Sequence, residues 1–268
     1  MKQLLLICAV VALVGCGKSK EEQEFSDFMA AAEAKTAAEA EMDDKKPLTE
    51  EESVKVIEVT IRKAVNKPTG ELTKADWEKV TKLNFGGKNL TDVKGLEKLR
   101  HLKDLGLQVN KLTSVKGLEK LTQLKHLSLH NNQLTDVKGL GNLMQLEGLN
   151  LAGNQLTDVK GLEKLTALTC LRLSGNQLTG VKDLENLEQL TYLRLHNNQL
   201  TDVKGLEKLT KLTYLGLSGN QLTSLTGLEK LTRLKKLWLE NNPDLTKAQI
   251  DELQKALPNC RIESNPTK

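Results

Sequence analysis

The sequence LNLAGNQLTDVKGLEKLTAL runs from Leu149 to Leu168 and is one copy of a unit that recurs along most of the chain. Leu149 and Leu151 are two positions apart, the period of a strand with one buried face. The apolar residues at positions 156, 159, 162, 165 and 168 are three apart, which favours tight 3₁₀-like turns over an α-helix. Each copy therefore predicts a short strand, a turn at Asn154 and a tight coil that returns to the next strand.

An asparagine occupies the turn position of every copy except the first, where Lys88 stands. The backbone turns inward there, and its N–H and C=O groups lose their strand partners. A buried amide can bond these groups and those of the next copy, so we predict a structural asparagine ladder. Its members are spaced by 22 residues: Asn110, Asn132, Asn154, Asn176, Asn198, Asn220 and Asn242.

The pattern L-x-L-x-x-N-x-L-T-D-V-x-x-L-x-x-L-x-x-L resembles the leucine-rich repeat family, specifically its internalin-like class with 22-residue units. One unit cannot bury its leucines alone, whereas eight stacked units share an interior. The resemblance implies an α/β repeat solenoid. Such an arc has short parallel strands on the concave face, a 3₁₀ or irregular convex side, and helical caps at both ends. It implies binding in general and carries over no particular receptor, because function lives in sites on the fold.

The first residues have the features of an export signal. Lys2 precedes an apolar run over residues 4–14 that is too short to span a bilayer comfortably. The run ends in Leu13-Val14-Gly15-Cys16, which resembles a bacterial lipobox with Cys16 as the lipidated residue. A plain secretory signal is the alternative. The resemblance implies an exported, membrane-anchored lipoprotein of a bacterial cell envelope, at the outer membrane or the cell surface.

Changes in composition divide the chain into five parts. We predict a lipoprotein signal peptide at 1–15, a flexible tether at 16–46, an N-terminal helical cap at 47–79, eight leucine-rich repeats at 80–245, and a C-terminal helix-strand cap with a tail at 246–268. The alternation of Ile57, Val59 and Ile61 leaves a strand as the alternative for the middle of the first cap. At the other end, Cys260 and Ile262 repeat the alternation of the preceding strand, which predicts a ninth rung.

Outward-facing strand positions form the one surface of the solenoid that does not repeat. Side chains alternate along a strand, so the residues flanking the strand leucines are expected to line the concave sheet. Arginines and aromatic residues cluster there in copies five to eight, where Gly216 predicts an open gap between its neighbours. Such clusters form binding hot spots. The candidate ligand-binding residues are Cys170, Arg172, Tyr192, Arg194, His196, Tyr214, Gly216 and Trp238.

The candidate site predicts an anionic ligand. We expect a protein partner of unknown identity, and an acidic glycan stacked on Trp238 is the alternative. Two further interpretations stay open: that these residue types simply suit an exposed strand, and that the protein is a structural spacer of the envelope. Alanine at Tyr192 and Arg194 is expected to weaken binding by well over tenfold.

Composition and spacing argue against other functions. A net charge of +4 is close to balanced, so no nucleic acid partner is expected. His126 and His130 are about 13 Å apart along one predicted strand, too far for one metal ion, and Cys170 is similarly far from His196. We therefore predict no metal, no cofactor and no enzyme activity. Cys170 and Cys260 lie on rungs about 19 Å apart, which excludes a disulfide. A monomer is expected.

Overall fold

The computed structural model describes residues 46–266, in which nine parallel strands form one sheet in chain order. Each strand has three residues, and each pairs in register with the corresponding residues of the next copy. This arrangement confirms the predicted solenoid. The strands are β1 (Lys82–Asn84), β2 (Asp104–Gly106), β3 (His126–Ser128), β4 (Gly148–Asn150), β5 (Cys170–Arg172), β6 (Tyr192–Arg194), β7 (Tyr214–Gly216), β8 (Lys236–Trp238) and β9 (Arg261–Glu263).

Short 3₁₀ helices return the chain on the convex side, as the spacing of three predicts. The leucines of both spacings point into one continuous core, and most of them have no exposed surface. Because the leucines of each copy pack against those of its neighbours, the stack buries leucine side chains that a single unit would leave exposed. The 3₁₀ helices are Leu96–Lys98, Leu118–Lys120, Lys138–Leu140, Lys182–Leu184, Leu206–Lys208 and Leu228–Lys230.

The convex turns take two forms, and a glycine–glutamate pair distinguishes them. In five copies the glycine has a φ near +100° and its N–H donates to the glutamate carboxylate two residues later; the glycines are Gly95, Gly117, Gly161, Gly205 and Gly227. The other two turns lack one member of the pair, since Gly141 replaces the glutamate in one and Asp183 replaces the glycine in the other. There the 3₁₀ helix begins two residues earlier in the copy, at Lys138 and Lys182.

The asparagine side chains bond successive rungs together. Asn154 Oδ1 accepts a hydrogen bond from the N–H of Leu134 at 3.0 Å, in the preceding copy. Its Nδ2 donates to the carbonyls of Leu129 and Leu151, both at 3.0 Å, and so joins the preceding copy to its own. The same pattern recurs along the ladder, and each of these amides is buried.

Helix α1 (Glu50–Ala64) and helix α2 (Lys74–Glu78) cover the first copy. Thr49 and Glu52 form a capping box at the start of α1, which satisfies backbone N–H groups that have no partner within the helix. Ile57 and Ile61 are buried in the core at helical spacing. The alternative of a strand in this segment is therefore wrong.

Helix α3 (Lys247–Ala256), capped by Thr246, covers the last copy and leads to β9. The structure confirms the ninth rung but shifts its register. Ile262, and not Cys260, pairs with Leu237 of β8. Cys260 lies just before the strand, and burial raises the pKa of its thiol to about 11. The two cysteines of the described region, Cys170 and Cys260, form no disulfide. Helices therefore cover the core of the described residues at both ends.

Val109 adopts an unusual backbone conformation for its residue type. It has a φ of +54°, in the left-handed region that a β-branched side chain disfavours. Glycine or asparagine fills the equivalent position in the other copies, at Gly87, Asn131, Gly153, Gly175, Asn197, Gly219 and Asn241. The stack imposes this turn on Val109, whose N–H donates to the carbonyl of His130 at 2.9 Å. Val109 therefore carries local strain.

Replacing Val109 with asparagine is expected to raise the free energy of unfolding by about 1 kcal/mol, because asparagine tolerates the left-handed region. Urea unfolding followed by circular dichroism measures the change. The reverse substitution Asn197→Val, at the same position of a later copy, should lower the stability by a similar amount. A Val109→Asn variant no more stable than the parent would show that the turn carries no strain.

Candidate functional site

Strand register places the candidate residues in two columns on the concave sheet. Cys170, Tyr192 and Tyr214 follow one another on β5, β6 and β7. Arg172 and Arg194 are paired neighbours in the second column, which continues through Gly216 to Trp238. The β-ladder thus brings together, at the spacing of adjacent strands, residues that are 22 positions apart in the sequence.

Aromatic rings form a row across three strands. The ring centroids of Tyr192 and Tyr214 are 5.8 Å apart, and those of Tyr214 and Trp238 are 6.5 Å apart. Both guanidinium groups lie over the Tyr192 ring, Arg172 at 5.6 Å and Arg194 at 5.2 Å from its centroid. Cation–π contacts of this kind hold two positive charges close together. We name these five residues, together with His196, the concave cluster.

Two of the candidate residues are more buried than an outward-facing position suggests. Cys170 has no exposed surface, and only 6% of Tyr192 is exposed. The two arginines cover the tyrosine ring, so Tyr192 supports the guanidinium groups from below. Arg172, Arg194, Tyr214 and Trp238 keep partial exposure and form the accessible part of the cluster. The prediction that Cys170 and Tyr192 line an open surface is wrong on this point.

The gap predicted at Gly216 is filled by His196. A Cβ atom built on Gly216 would lie 2.1 Å from Nε2 of His196, so the imidazole occupies the space above the glycine. The same ring meets Trp238 edge-on, with centroids 6.0 Å apart. Gly216 therefore matters because it admits His196, and the prediction of an empty recess there is wrong.

His196 is neutral at pH 7. Burial lowers the pKa of the imidazole from 6.5 to about 4, and the positive charge of Arg194 acts in the same direction. The Glu240 carboxylate opposes them more weakly. A neutral ring packs against Trp238 without adding a third charge beside the two arginines.

This pKa shift predicts a pH-dependent stability. Between pH 6.5 and about 4 the unfolded chain binds a proton at His196 that the folded chain does not, so the fold loses stability as the pH falls through this window. After a discount for the partial exposure of the ring, the loss is about 2 kcal/mol. The stability of a His196→Gln variant relative to the parent, measured by urea unfolding, should rise by about that amount between pH 7 and pH 4. A constant difference would contradict the shift.

Sequence reasoning left Lys236 out of the candidate set. Its Nζ lies over the Trp238 ring, 4.4 Å from the centroid. The sequence carried a signal for this residue. Lys236 follows Tyr214 in the same outward-facing column and stands two residues before Trp238 on β8. Nearby, the Ser218 hydroxyl donates to the Glu240 carboxylate at 2.5 Å, which ties this acidic group to a protein partner.

The first half of the concave sheet is polar and internally bonded. Asp104 accepts from His126 at 2.5 Å and pairs with Lys82 at 3.1 Å. Burial raises the pKa of Asp104, but the hydrogen bonds and charges of His126 and Lys82 outweigh burial and leave the pKa lowered. Next to this group, His130 Nδ1 lies 3.0 Å from the Ser128 hydroxyl and 3.3 Å from Asn150 Nδ2. This half differs from the arginine-rich concave cluster.

Residues 46–266 contain no group of three or more histidine, cysteine, aspartate or glutamate side chains that could hold a metal ion. In the same range, no helix is long and apolar enough to cross a membrane. The predicted lipidation residue, Cys16, lies outside the described residues.

Several solved structures resemble this chain. An internalin InlF from Listeria monocytogenes is 32% identical, with a TM-score of 0.68 over 73% of this chain and 58% of its own. An internalin C2 from the same species is 29% identical, with a TM-score of 0.73 over 77% of this chain and 91% of its own. A leucine-rich repeat protein of Leptospira interrogans is 32% identical, with a TM-score of 0.67 over 72% and 51%. The chain thus spans just over half the length of InlF and of the Leptospira protein.

Comparison with curated proteins gives no match. The family profile described as leucine-rich repeats in two copies matches residues 100–142, 145–188, 166–208, 188–230 and 210–259, which together cover more than half of the chain. The repeated strand, the asparagine ladder and the internalin-like structures agree with this profile. The chain belongs to the leucine-rich repeat family and is internalin-like.

Proposed function

We propose that this protein is a non-catalytic binding protein that recognises a protein partner through the concave cluster. Solenoids of this kind use their concave surface for binding. The observation that carries the proposal is the pair of guanidinium groups, Arg172 and Arg194, held on adjacent strands above Tyr192. Two fixed positive charges beside a row of rings suit an extended acidic segment, whose carboxylates bond to the arginines while its apolar side chains pack on Tyr214.

The geometry around Trp238 supports a protein partner over the acidic glycan. A sugar ring would stack on a face of the indole, and Lys236 Nζ already lies over the ring at 4.4 Å while His196 meets its edge. A peptide can bond to the arginines without displacing either neighbour. The glycan and the structural spacer therefore remain as outcomes of the binding experiment.

Display at the cell envelope completes the proposal. We propose that residues 1–15 direct export, that Cys16 carries lipid, and that residues 16–46 tether the arc, with caps at 47–79 and 246–268 around the repeats of 80–245. The lipobox-like tetrad ending in Cys16 supports this arrangement. Labelled palmitate should enter the parent and a Cys8→Ser variant but not a Cys16→Ser variant; labelling of all three would refute anchoring at Cys16.

The binding test removes the two charges from the concave cluster. Residues 47–268 are immobilised and exposed to envelope extract, beside an Arg172→Ala/Arg194→Ala variant. A retained partner is then purified, and its Kd is expected to rise more than tenfold in the variant, because each charged hydrogen bond contributes about 1.5–3 kcal/mol. Excess purified cell-wall polymer distinguishes a glycan ligand from a protein ligand, because the polymer would compete only with a bound glycan.

The matched control is Lys116→Ala/Lys138→Ala, which removes the same charge from exposed convex positions. It should leave the Kd unchanged. Equal binding by the parent and the arginine variant would refute the site, and retention of nothing by any of the three proteins would favour the structural spacer.

A further inference from the structure

A second acidic and aromatic sequence lies in the chain itself. Residues 21–29 read EEQEFSDFM and contain four carboxylates, no lysine or arginine, and two of the three phenylalanines of the chain. This composition is the complement of the concave cluster, which offers two guanidinium groups and a row of rings, with the Lys236 ammonium beside them. We propose that residues 21–29 bind the concave cluster of their own chain and compete with the external partner.

Chain length permits this contact. Seventeen residue-to-residue steps lead from Met29 to Lys46, where the described region begins. At up to about 3.3 Å per residue they reach roughly 56 Å. Leu48 bonds to Asn89 beside the first copy, and β6 lies five rungs further on, about 24 Å along the stack at roughly 4.8 Å per rung. The available length is about twice the distance along the stack, which leaves enough chain to turn onto the concave face.

The chemistry assigns roles within the segment. The carboxylates of the segment complement the charge of the Arg172 and Arg194 guanidinium groups, and its two phenylalanines complement the row of rings. Linkage to the same chain gives the segment an effective concentration in the millimolar range, so even weak binding masks the site. An external partner must displace the segment, and its apparent affinity is reduced by the masked fraction. This inference rests on the concave cluster being the ligand site of the proposed function.

Tryptophan fluorescence tests the contact directly. The chain has two tryptophans, and a Trp77→Phe background leaves Trp238 as the sole reporter. In the chain from residue 17 onward, the segment variant Glu21→Gln/Glu22→Gln/Glu24→Gln/Asp27→Asn loses the four carboxylates. Acrylamide quenching of Trp238 is expected to rise about twofold in this variant. A synthetic peptide of residues 20–31 added to it should restore the protection, and 500 mM salt should weaken that effect.

The control variant removes four carboxylates from the same tether outside the segment: Glu39→Gln/Glu41→Gln/Asp43→Asn/Asp44→Asn. Its quenching should equal that of the parent. Equal quenching in the parent, the segment variant and the control would overturn the proposal. Sedimentation velocity adds a second criterion, because protection that appears only together with a concentration-dependent dimer would mean that the segment of a second copy occupies the cluster, which also overturns binding within one chain.

Failure of this inference is distinguishable from failure of the proposed function. The capture experiment uses residues 47–268, which lack the segment. A partner that binds there in an arginine-dependent way, with no change of Trp238 quenching in the segment variant, refutes only the contact with residues 21–29. Protection of Trp238 by the segment with no partner captured refutes only the external partner.

Discussion

Replacing Asn154 with alanine is expected to lower the free energy of unfolding by about 4 kcal/mol. The substitution removes the acceptor of the buried Leu134 N–H, and the carbonyls of Leu129 and Leu151 each lose one of two asparagine donors. The unsatisfied N–H costs about 1–3 kcal/mol, and each of the two lost hydrogen bonds costs about 0.5–1.5 kcal/mol. Urea unfolding followed by circular dichroism measures the loss, and Tm should fall by about 10 °C for a domain of this size.

The neighbouring Gln155 provides the control, because its side chain is exposed at the same turn. Gln155→Ala should change the stability by less than about 0.5 kcal/mol. A loss below about 1 kcal/mol for Asn154→Ala would mean that water replaces the amide at a middle rung. The ladder would then contribute little, and the leucine core alone would hold the stack.

Replacing Gly161 with alanine is expected to cost about 3–4 kcal/mol, whereas Gly117→Ala should cost about 1–2 kcal/mol. Both glycines have a φ near +100°, so both variants carry the left-handed backbone penalty. A Cβ on Gly117 would lie 3.8 Å from its nearest neighbour, a Val93 methyl group. A Cβ on Gly161 would lie 2.6 Å from Cα of Lys138, which is backbone and must shift. The difference between the two variants therefore isolates the clash from the strain.

The second turn form explains this clash. The 3₁₀ helix that begins at Lys138 raises its backbone toward the copy stacked on it, and Lys182 does the same under Gly205, where a Cβ would lie 2.7 Å from Cα of Lys182. In thermal unfolding, the Gly161→Ala and Gly205→Ala variants should have similar Tm values, both lower than the Tm of Gly117→Ala. Equal losses at all three positions would show that φ alone decides the cost.

Much of the fold could be predicted from the sequence because one local pattern recurs and has one packing solution. The spacing of two and three around Leu149 indicates the strand and the 3₁₀ return, and the capping residues Thr49 and Thr246 indicate the terminal helices. The two turn forms could not be predicted from this pattern. The choice depends on whether a glycine can take a positive φ and whether a glutamate carboxylate reaches its N–H, as the Gly141 and Asp183 copies show.

The sequence predicts which candidate residues lie on the concave face but not how deeply each of them is buried. Alternation places Arg172, Arg194, Tyr214 and Trp238 on the concave face, as the register has them. It carries no information on which side chains cover others. Long guanidinium groups fold over Tyr192, and the imidazole of His196 turns into the space above Gly216, since that glycine offers no side chain to resist it. These contacts depend on the side-chain rotamers of residues on neighbouring strands.

The shortness of the strands has a consequence for polymerisation. A parallel sheet that does not close leaves an unpaired strand at its end, and such a strand is a template for another chain. Among the described residues β9 is the last strand in the order and has three residues, Arg261–Glu263. A three-residue strand offers roughly one or two backbone hydrogen-bonding positions to another chain. Segments that assemble into fibres are typically six or seven residues long. The nine strands of residues 46–266 can therefore lie side by side in one molecule, while β9 offers too small a template to recruit the sheet of another.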